Sequence, residues 1–327
     1  EEDAMGEMLG RLYVKEFFNE TAKKRYADMV EAIREALKDR IGKLAWMSDS
    51  TKQKAFAKLA AMKSKVGYPD KWKDFSGMDI GRESLAKNYM NSHTWWHNYN
   101  YNKLGKPVDR DEWDMYPQTY NAYYNASNNE IVLPAGIFTV PGYRDEELDD
   151  AVVYGYGGAS TIGHEITHGF DDEGRQYDAQ GNLVSWWTRA DEDAFKKRAG
   201  VMVKQFDEYE PLKGYHINGK ATLGENIADL GGILLGIEAF KKTQQFKENK
   251  SISGLTPMQR YFMGYALGWL GHTREESLRN RLLTDVHSPA KYRVNGPFVD
   301  VDEFYSTFGI KAGDKMFRAD SVRVRIW

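Results

Sequence analysis

His164-Glu165-Ile166-Thr167-His168 places two imidazoles and a carboxylate within little more than one helical turn. His164 and His168 are four residues apart, so on a helix both rings project from one face toward a common point. Zinc accepts nitrogen ligands at about 2 Å, and this spacing supplies two of them without straining the backbone. Glu165 lies beside them, placed to serve a water activated by the metal rather than the metal itself. A bare HExxH also arises by chance on ordinary helices, so the argument turns on what else the chain provides.

A second pair of acids follows downstream in Thr222-Leu223-Gly224-Glu225-Asn226-Ile227-Ala228-Asp229. Glu225 and Asp229 share a helix face by the same spacing. One carboxylate can complete a His-His-Glu zinc site and leave a fourth position open for water. The other can accept the free N–H of a ligand imidazole and fix its tautomer. Acids on a helix are usually solvated, but Leu223, Ile227, Leu230, Ile233, Leu234 and Leu235 make this helix apolar almost all round. Its carboxylates are therefore expected to be buried, and buried carboxylates need a partner.

The helix carrying the histidines must also be interior, because residues 151–162 lead into it with almost no charge and several glycines. Those glycines permit close approach of neighbouring backbone. Asp171 follows His168 by three and is a second candidate for supporting an imidazole. Asp172 and Glu173 read as solvated residues at the helix end.

The remaining pattern is mainly helical with a small β region, an α+β fold. From Tyr26 through Met29, Val30, Ile33, Leu37, Ile41 and Leu44, apolar residues recur at three and four, predicting a long amphipathic helix. Ser50-x-x-Gln53 resembles a capping box opening another helix through roughly Met62. Gly67-Tyr68-Pro69-Asp70 interrupts the pattern and is taken as a domain boundary. Tyr120–Tyr124 and Glu130–Leu133 read as short strands around a polar turn at Asn125–Asn129. Helices are expected near 151–172, 188–208, 223–245, 256–271 and 273–283, and no internal repeat or low-complexity tract is present.

Composition sets outer limits. The 327 residues exceed one typical core. Net charge is −3 and Lys and Arg are scattered, so neither nucleic acid nor an anionic membrane is an expected partner. Nine Trp and twenty Tyr suit a large core and a peptide-binding cleft. There is no cysteine, hence no disulfide framework and no thiol chemistry. No apolar run is long enough to span a bilayer.

Taken in order, these motifs resemble the catalytic half of a neprilysin-family zinc endopeptidase of the bacterial PepO type. The resemblance runs from Gly10-Arg11-Leu12-Tyr13-Val14 through Trp46-Met47, Gly67-Tyr68-Pro69, Asn121-Ala122-Tyr123-Tyr124 and residues 129–137 to the HExxH helix. It continues through Gly224–Asp229 and Asp285-Val286-His287-Ser288-Pro289 to Arg293 and the terminal Val324-Arg325-Ile326-Trp327. It implies a gluzincin-like, thermolysin-like catalytic lobe over 67–327, with 1–66 as the remaining helices of a cap domain.

The resemblance also implies roles. His164, His168 and Glu225 would bind one Zn2+ per chain, with Glu165 as general base and then acid. Asp171 and Asp229 would orient the histidines, the latter counted with the catalytic set. Asn121 and Ala122 would hold a substrate backbone along an edge strand. His287 would stabilise the oxyanion with Asp285 holding its ring, Arg293 would bind a substrate carbonyl, and Trp269 would line the substrate pocket. Ser160, Thr161, Gly142 and Gly268 depart from the bulky apolar residues found at these places in the family. That points to a wider or more polar pocket for the residue after the cleaved bond.

Substrates would be oligopeptides. The first residues resemble the middle of the family's fold, so the chain reads as a fragment whose partner is the upstream half of the same protein. The lack of cysteine suggests a bacterial member, and family habit suggests a periplasmic, cell-surface or secreted location. A non-catalytic zinc-containing module that binds peptide or protein is the alternative, with a zinc amidase on a non-peptide substrate as a further one.

Overall fold

A buried apolar stripe and side-chain caps at the helix starts shape the helices near the chain's beginning. The computed structural model describes residues 2–327. Helix α1 (Glu2–Phe17) leads into α2 (Glu20–Lys43), which starts where the Asn19 side chain accepts from Ala22 N at 2.8 Å. The stripe foreseen in α2 is buried from Tyr26 through Ile41. Helix α3 (Asp49–Ala61) is capped by Ser48 rather than by the expected Ser50, which lies inside the first turn.

The Ser48 cap wins because a buried acid backs it. Asp191 accepts from Ser48 N (2.9 Å), Ser48 Oγ (2.5 Å), Thr51 Oγ1 (2.6 Å) and Thr188 Oγ1 (2.7 Å). These bonds join the start of α3 to the start of α8 (Arg189–Asp207). Burial disfavours the charged carboxylate, but the hydroxyl and amide donors outweigh it and hold the pKa below the ordinary value. A depressed folded pKa contributes stability above the unfolded value near 4, and that contribution is lost as pH falls through the folded value. Asp191→Ala is expected to cost about 3 kcal/mol at neutral pH. Urea denaturation as a function of pH checks it, because the deficit must shrink in acid.

After α3 the chain enters β1 (Lys63–Gly67), a strand the sequence reading did not anticipate. Its lysines read as polar, yet Lys65 is buried in an ion pair with Glu130 at 2.9 Å. Helix α4 (Leu85–Tyr101) was also unforeseen, since its polar and aromatic residues show no apolar stripe and Ser92 is its buried member. Strand β2 (Tyr123–Asn125) begins three residues later than expected, and β3 (Glu130–Pro134) follows. The sheet order is β1-β3-β2, with β1 parallel to β3 (Lys63 opposite Glu130) and β2 antiparallel to it (Tyr124 opposite Ile131). The fold is thus mainly helical with a small sheet, as the periodicity predicts.

A short α5 (Ala135–Phe138) and α6 (Asp150–Val153) precede a π-helical stretch, Tyr154–Gly163, which opens into α7 (His164–His168). The expected helix over 151–172 is therefore wound differently in its middle and ends earlier. Close packing accounts for the glycines there: a Cβ on Gly163 would stand 2.8 Å from Gly232 Cα, so backbone meets backbone. Gly232 lies on α9 (Leu223–Lys241), which is buried on nearly every side. Helix α9 stops short of residue 245, and Thr243 caps a separate α10 (Gln244–Glu248). Then come α11 (Pro257–Leu267), α12 (Glu275–Thr284), α13 (Ala290–Phe298) and α14 (Asp302–Phe308), the last two not anticipated. One hydrophobic cluster runs from Val14 on α1 to Trp327, with α2, the π-helical stretch and α9 at its centre.

Candidate active site

The crossing of α7 and α9 brings the two motifs together. His164 Nδ1 lies 2.9 Å from Asp229 Oδ1, and His168 Nδ1 lies 2.6 Å from Asp171 Oδ2. A carboxylate accepting at Nδ1 fixes the proton there, so the Nε2 lone pairs are left to face outward from each ring. The two Nε2 atoms come within 3.0 Å of each other. Glu225 Oε2 is 3.3 Å from His164 Nε2, and Glu225 Oε1 is 3.6 Å from His168 Nε2. The three residues thus offer ligand atoms that all lie within 4.8 Å of one another, a group able to hold a metal ion.

The donor chemistry fits a borderline cation such as zinc: two imidazole nitrogens, one carboxylate and a carboxylate behind each ring. Charge points the same way. Burial disfavours a charge on His164, yet hydrogen bonds to Asp229 and Glu225 lift its pKa to about 10. The carboxylates therefore call for positive charge where the Nε2 atoms converge. Glu225 is itself held well below the ordinary carboxylate range, burial being outweighed by His164 and His287.

Glu165 shares the turn but not the ligand group. It is 7% exposed, lines the cleft, and makes no hydrogen bond or ion pair among the described residues. Burial raises its pKa against the pull of the nearby histidines and Arg293. A carboxylate so placed holds a proton more strongly than a solvated one.

Arg293 closes the back of the site. Its Nε donates to Asp229 Oδ2 at 2.8 Å, and Nη2 donates to Asp229 Oδ1 (2.8 Å) and Glu225 Oε2 (3.1 Å). The guanidinium stacks 4.1 Å from the ring centre of Trp269. Asp229 is 1% exposed, and although burial opposes its charge, Arg293 and His164 bring its pKa down. His287 reaches the rim, with Nε2 3.3 Å from Glu225 Oε1 and Nδ1 2.7 Å from Asp285 Oδ1. Asp285 also accepts from His287 N and from Arg281 Nε, which sets the ring's orientation.

His164, Glu165, His168, Glu225, His287 and Arg293 border one cleft of about 600 Å3. Asn121 and Ala122, immediately before the edge strand β2, line it too, as do Trp269, Ser160, Thr161 and Gly268. A Cβ on Gly268 would sit in ordinary van der Waals contact with Tyr156 and Ser160, so a small side chain would pack there without a clash. Gly142 is not among the lining residues and has a left-handed φ of 83°.

Every candidate metal ligand and carboxylate support named from the sequence meets in this cluster, but three features escaped that reading. Asp172, expected to be solvated, is half-buried, and burial with the neighbouring Asp171 pushes its carboxyl up to about 6. Asn226 is buried on α9; its Nδ2 donates to Thr222 Oγ1 at 2.9 Å and its Oδ1 accepts from Ser288 Oγ at 2.8 Å. That bond moors the segment carrying His287 to the helix carrying Glu225. The available signal was an amide in the first turn of a largely apolar helix, between Glu225 and Asp229. The third is a hydroxyl pair in the cleft wall, Tyr120 and Tyr156, whose oxygens are 2.9 Å apart.

Comparison with known proteins agrees with this geometry. Two models described as Peptidase family M13 match, an N-terminal one over residues 1–69 and another over residues 121–324. The chain is 38% identical to the neutral endopeptidase of Lactobacillus helveticus, over 99% of this chain and 48% of that protein. A crystal structure of the Mycobacterium tuberculosis zinc metalloprotease Zmp1 with an inhibitor superposes with a TM-score of 0.89 at 43% identity, covering 100% of this chain and 50% of that one. PepO from Lactobacillus rhamnosis HN001 gives a TM-score of 0.86 at 32% identity, covering 99% of this chain and 50% of that one. The chain spans about half the length of the curated relatives it matches. With a family model covering most of the chain, and the paired motifs meeting where that model lies, the chain belongs to Peptidase family M13.

Proposed function

We propose that this chain is the catalytic portion of a zinc endopeptidase that hydrolyses oligopeptides. The observation that carries the reading is the convergence of His164 Nε2, His168 Nε2 and Glu225 beside an unligated, buried Glu165 in a cleft bordered by an edge strand. His164, His168 and Glu225 would hold one zinc ion, with Asp229 and Asp171 fixing the imidazole tautomers. When bound, the ion supplies Lewis acidity toward a water and toward the scissile carbonyl.

The protein's own groups do the rest. Substrate backbone adds along the outer edge of β2, where Asn121 and Ala122 border the cleft. Glu165 accepts a proton from the attacking water and returns it to the leaving amine, a role suited to a carboxylate whose basicity burial has raised. His287, held by Asp285, donates toward the developing oxyanion. Arg293 combines a positioning role at Asp229 with a cleft-facing side chain that can bind a substrate carbonyl. Ser160, Thr161 and Gly268 leave a wide, partly polar pocket beside Trp269 for the residue after the cleaved bond.

We further propose that residues 1–66 are the last helices of a cap and that 67–327 form the catalytic lobe, with the upstream half of the protein as partner. Exposed apolar side chains on α1 and around α4 support that partner: Leu12, Phe17, Leu85, Met90, Leu104 and Val108. No helix among the described residues is long and apolar enough to cross a membrane. A periplasmic, cell-surface or secreted location is proposed from the resemblance to bacterial relatives.

Internally quenched peptides test the activity. Full-length protein is expected to cut them at internal bonds, to lose activity on chelation, and to regain it with zinc. Cleavage that survives complete zinc removal would refute the metal mechanism. Absence of cleavage by protein holding stoichiometric zinc would instead favour a peptide-binding module.

A further inference from the structure

Lys58 on α3 is 1% exposed, and no carboxylate lies within ion-pair distance of it among the described residues. Burying an ammonium without a counter-ion is costly, and a methionine would fill the same space more cheaply. Burial accordingly lowers its pKa to about 7, with Asp171 and Asp178 opposing the shift. A buried lysine kept at that cost calls for a task.

Its contacts identify one. Lys58 Nζ donates to Gly174 O at 2.6 Å and to Tyr177 O at 2.7 Å. The rest of the ammonium faces a box of rings, Tyr124, Phe170 and Trp186, at 5.7, 5.6 and 5.9 Å. On the other side Asn129 Nδ2 donates to Lys58 O (3.0 Å) and to Ala179 O (3.2 Å), bracing the helix against the same segment. Gly174 is the pivot: its carbonyl accepts from Lys58, and its N–H donates to Asp171 Oδ1 at 2.7 Å. The other oxygen of Asp171 meets His168 Nδ1 at 2.6 Å. Gly174 also has no room for a side chain that could anchor it, since a Cβ there would lie 1.8 Å from His168 O. The turn after α7 is therefore held from outside.

We propose that Lys58 is a positioning residue of the active site: it pins the turn at Gly174 and Tyr177 and so holds Asp171 against His168. The lysine comes from the segment matched by the N-terminal family model, whereas the turn lies in the segment matched by the other. Helix α3 thereby sets a metal-ligand orientation more than one hundred residues away in sequence. The inference rests on the zinc reading above.

The test uses full-length protein carrying Lys58→Met, which keeps the stem and removes both donors. Zinc affinity is measured by competition with a chromophoric chelator, alongside the melting curve and separate kcat and KM values. A folded Lys58→Met protein is expected to hold zinc about 10- to 100-fold less tightly, as for other groups behind a metal ligand. Its kcat per bound zinc ion should fall while KM stays near the parent value, and normalising to bound zinc with the melting curve in hand removes a smaller folded or metal-loaded fraction as the cause. In an Asp171→Asn background the lysine change should add little, because both act through one chain of bonds. Parent-like zinc retention by folded Lys58→Met overturns the proposal, and so does an undiminished loss in the Asp171→Asn background. Should Lys58→Met not fold, Lys58→Leu, which also lacks donors, is read by the same criteria, and its parent-like retention is equally fatal. A parent protein that binds no zinc would overturn the zinc reading together with this inference, whereas equal retention in parent and variant removes this inference alone.

Discussion

Replacing Glu165 by Gln leaves zinc bound and lowers peptide hydrolysis by about two to four orders of magnitude, the range a lost general base and acid accounts for. The expectation follows from where Glu165 stands. It lies outside the group of three ligand residues and makes no hydrogen bond or ion pair among the described residues, so Gln disturbs no partner and changes no volume. What changes is the capacity to take a proton from water and pass it to the leaving nitrogen. Metal analysis of the purified variant should match the parent, and KM should move little, because the carboxylate contributes to the transition state rather than to substrate binding. A Glu165→Gln protein that cleaves at the parent rate would remove Glu165 from the mechanism and transfer the base to another group. Loss of zinc together with activity would show instead that Glu165 supports the metal.

The reach and the limits of the sequence have physical causes. His164, His168, Glu225 and Asp229 were legible because a helix converts a spacing of four into a shared face, and both helices announce their burial by continuous apolar flanks. The long stripe of α2 was legible for the same reason. Asp171 could be named, but not the turn that holds it, because Lys58 acts through two backbone carbonyls that carry no side-chain signature. Strand β1 stayed hidden because its buried Lys65 is balanced by Glu130 from a strand distant in sequence. The π-helical winding before α7 depends on what the glycines pack against, which local propensity does not encode. Helix α4 lacks a stripe because little of it is buried in this chain.

Arg293 separates a structural reading from a purely substrate-binding one, and Arg293→Met should show that its larger task is to neutralise Asp229. The guanidinium makes two 2.8 Å bonds to that carboxylate in a site where Asp229 is 1% and Arg293 7% exposed. Methionine keeps a similar apolar length beside Trp269 but strands a buried charge. Removing one partner of such a pair costs about 3–5 kcal/mol, because the remaining ion keeps its desolvation penalty without its compensation. Denaturant unfolding of the metal-free protein at neutral pH should register that loss. The pH dependence gives a second check. In the parent, Asp229 has a lowered folded pKa, so its contribution is present above the unfolded value near 4 and is lost as pH falls through the folded one. In the variant, burial without the guanidinium favours the protonated acid, so the stranded charge is relieved as pH drops. The gap between parent and variant must therefore narrow toward pH 4. A residue that only held a substrate carbonyl would raise KM and leave both curves superimposed. A constant deficit at every pH would place the damage in packing against Trp269 rather than in the ion pair. A large deficit that closes in acid, with weakened zinc retention, would mean that the charge orienting His164 is itself held in place by Arg293 from α13.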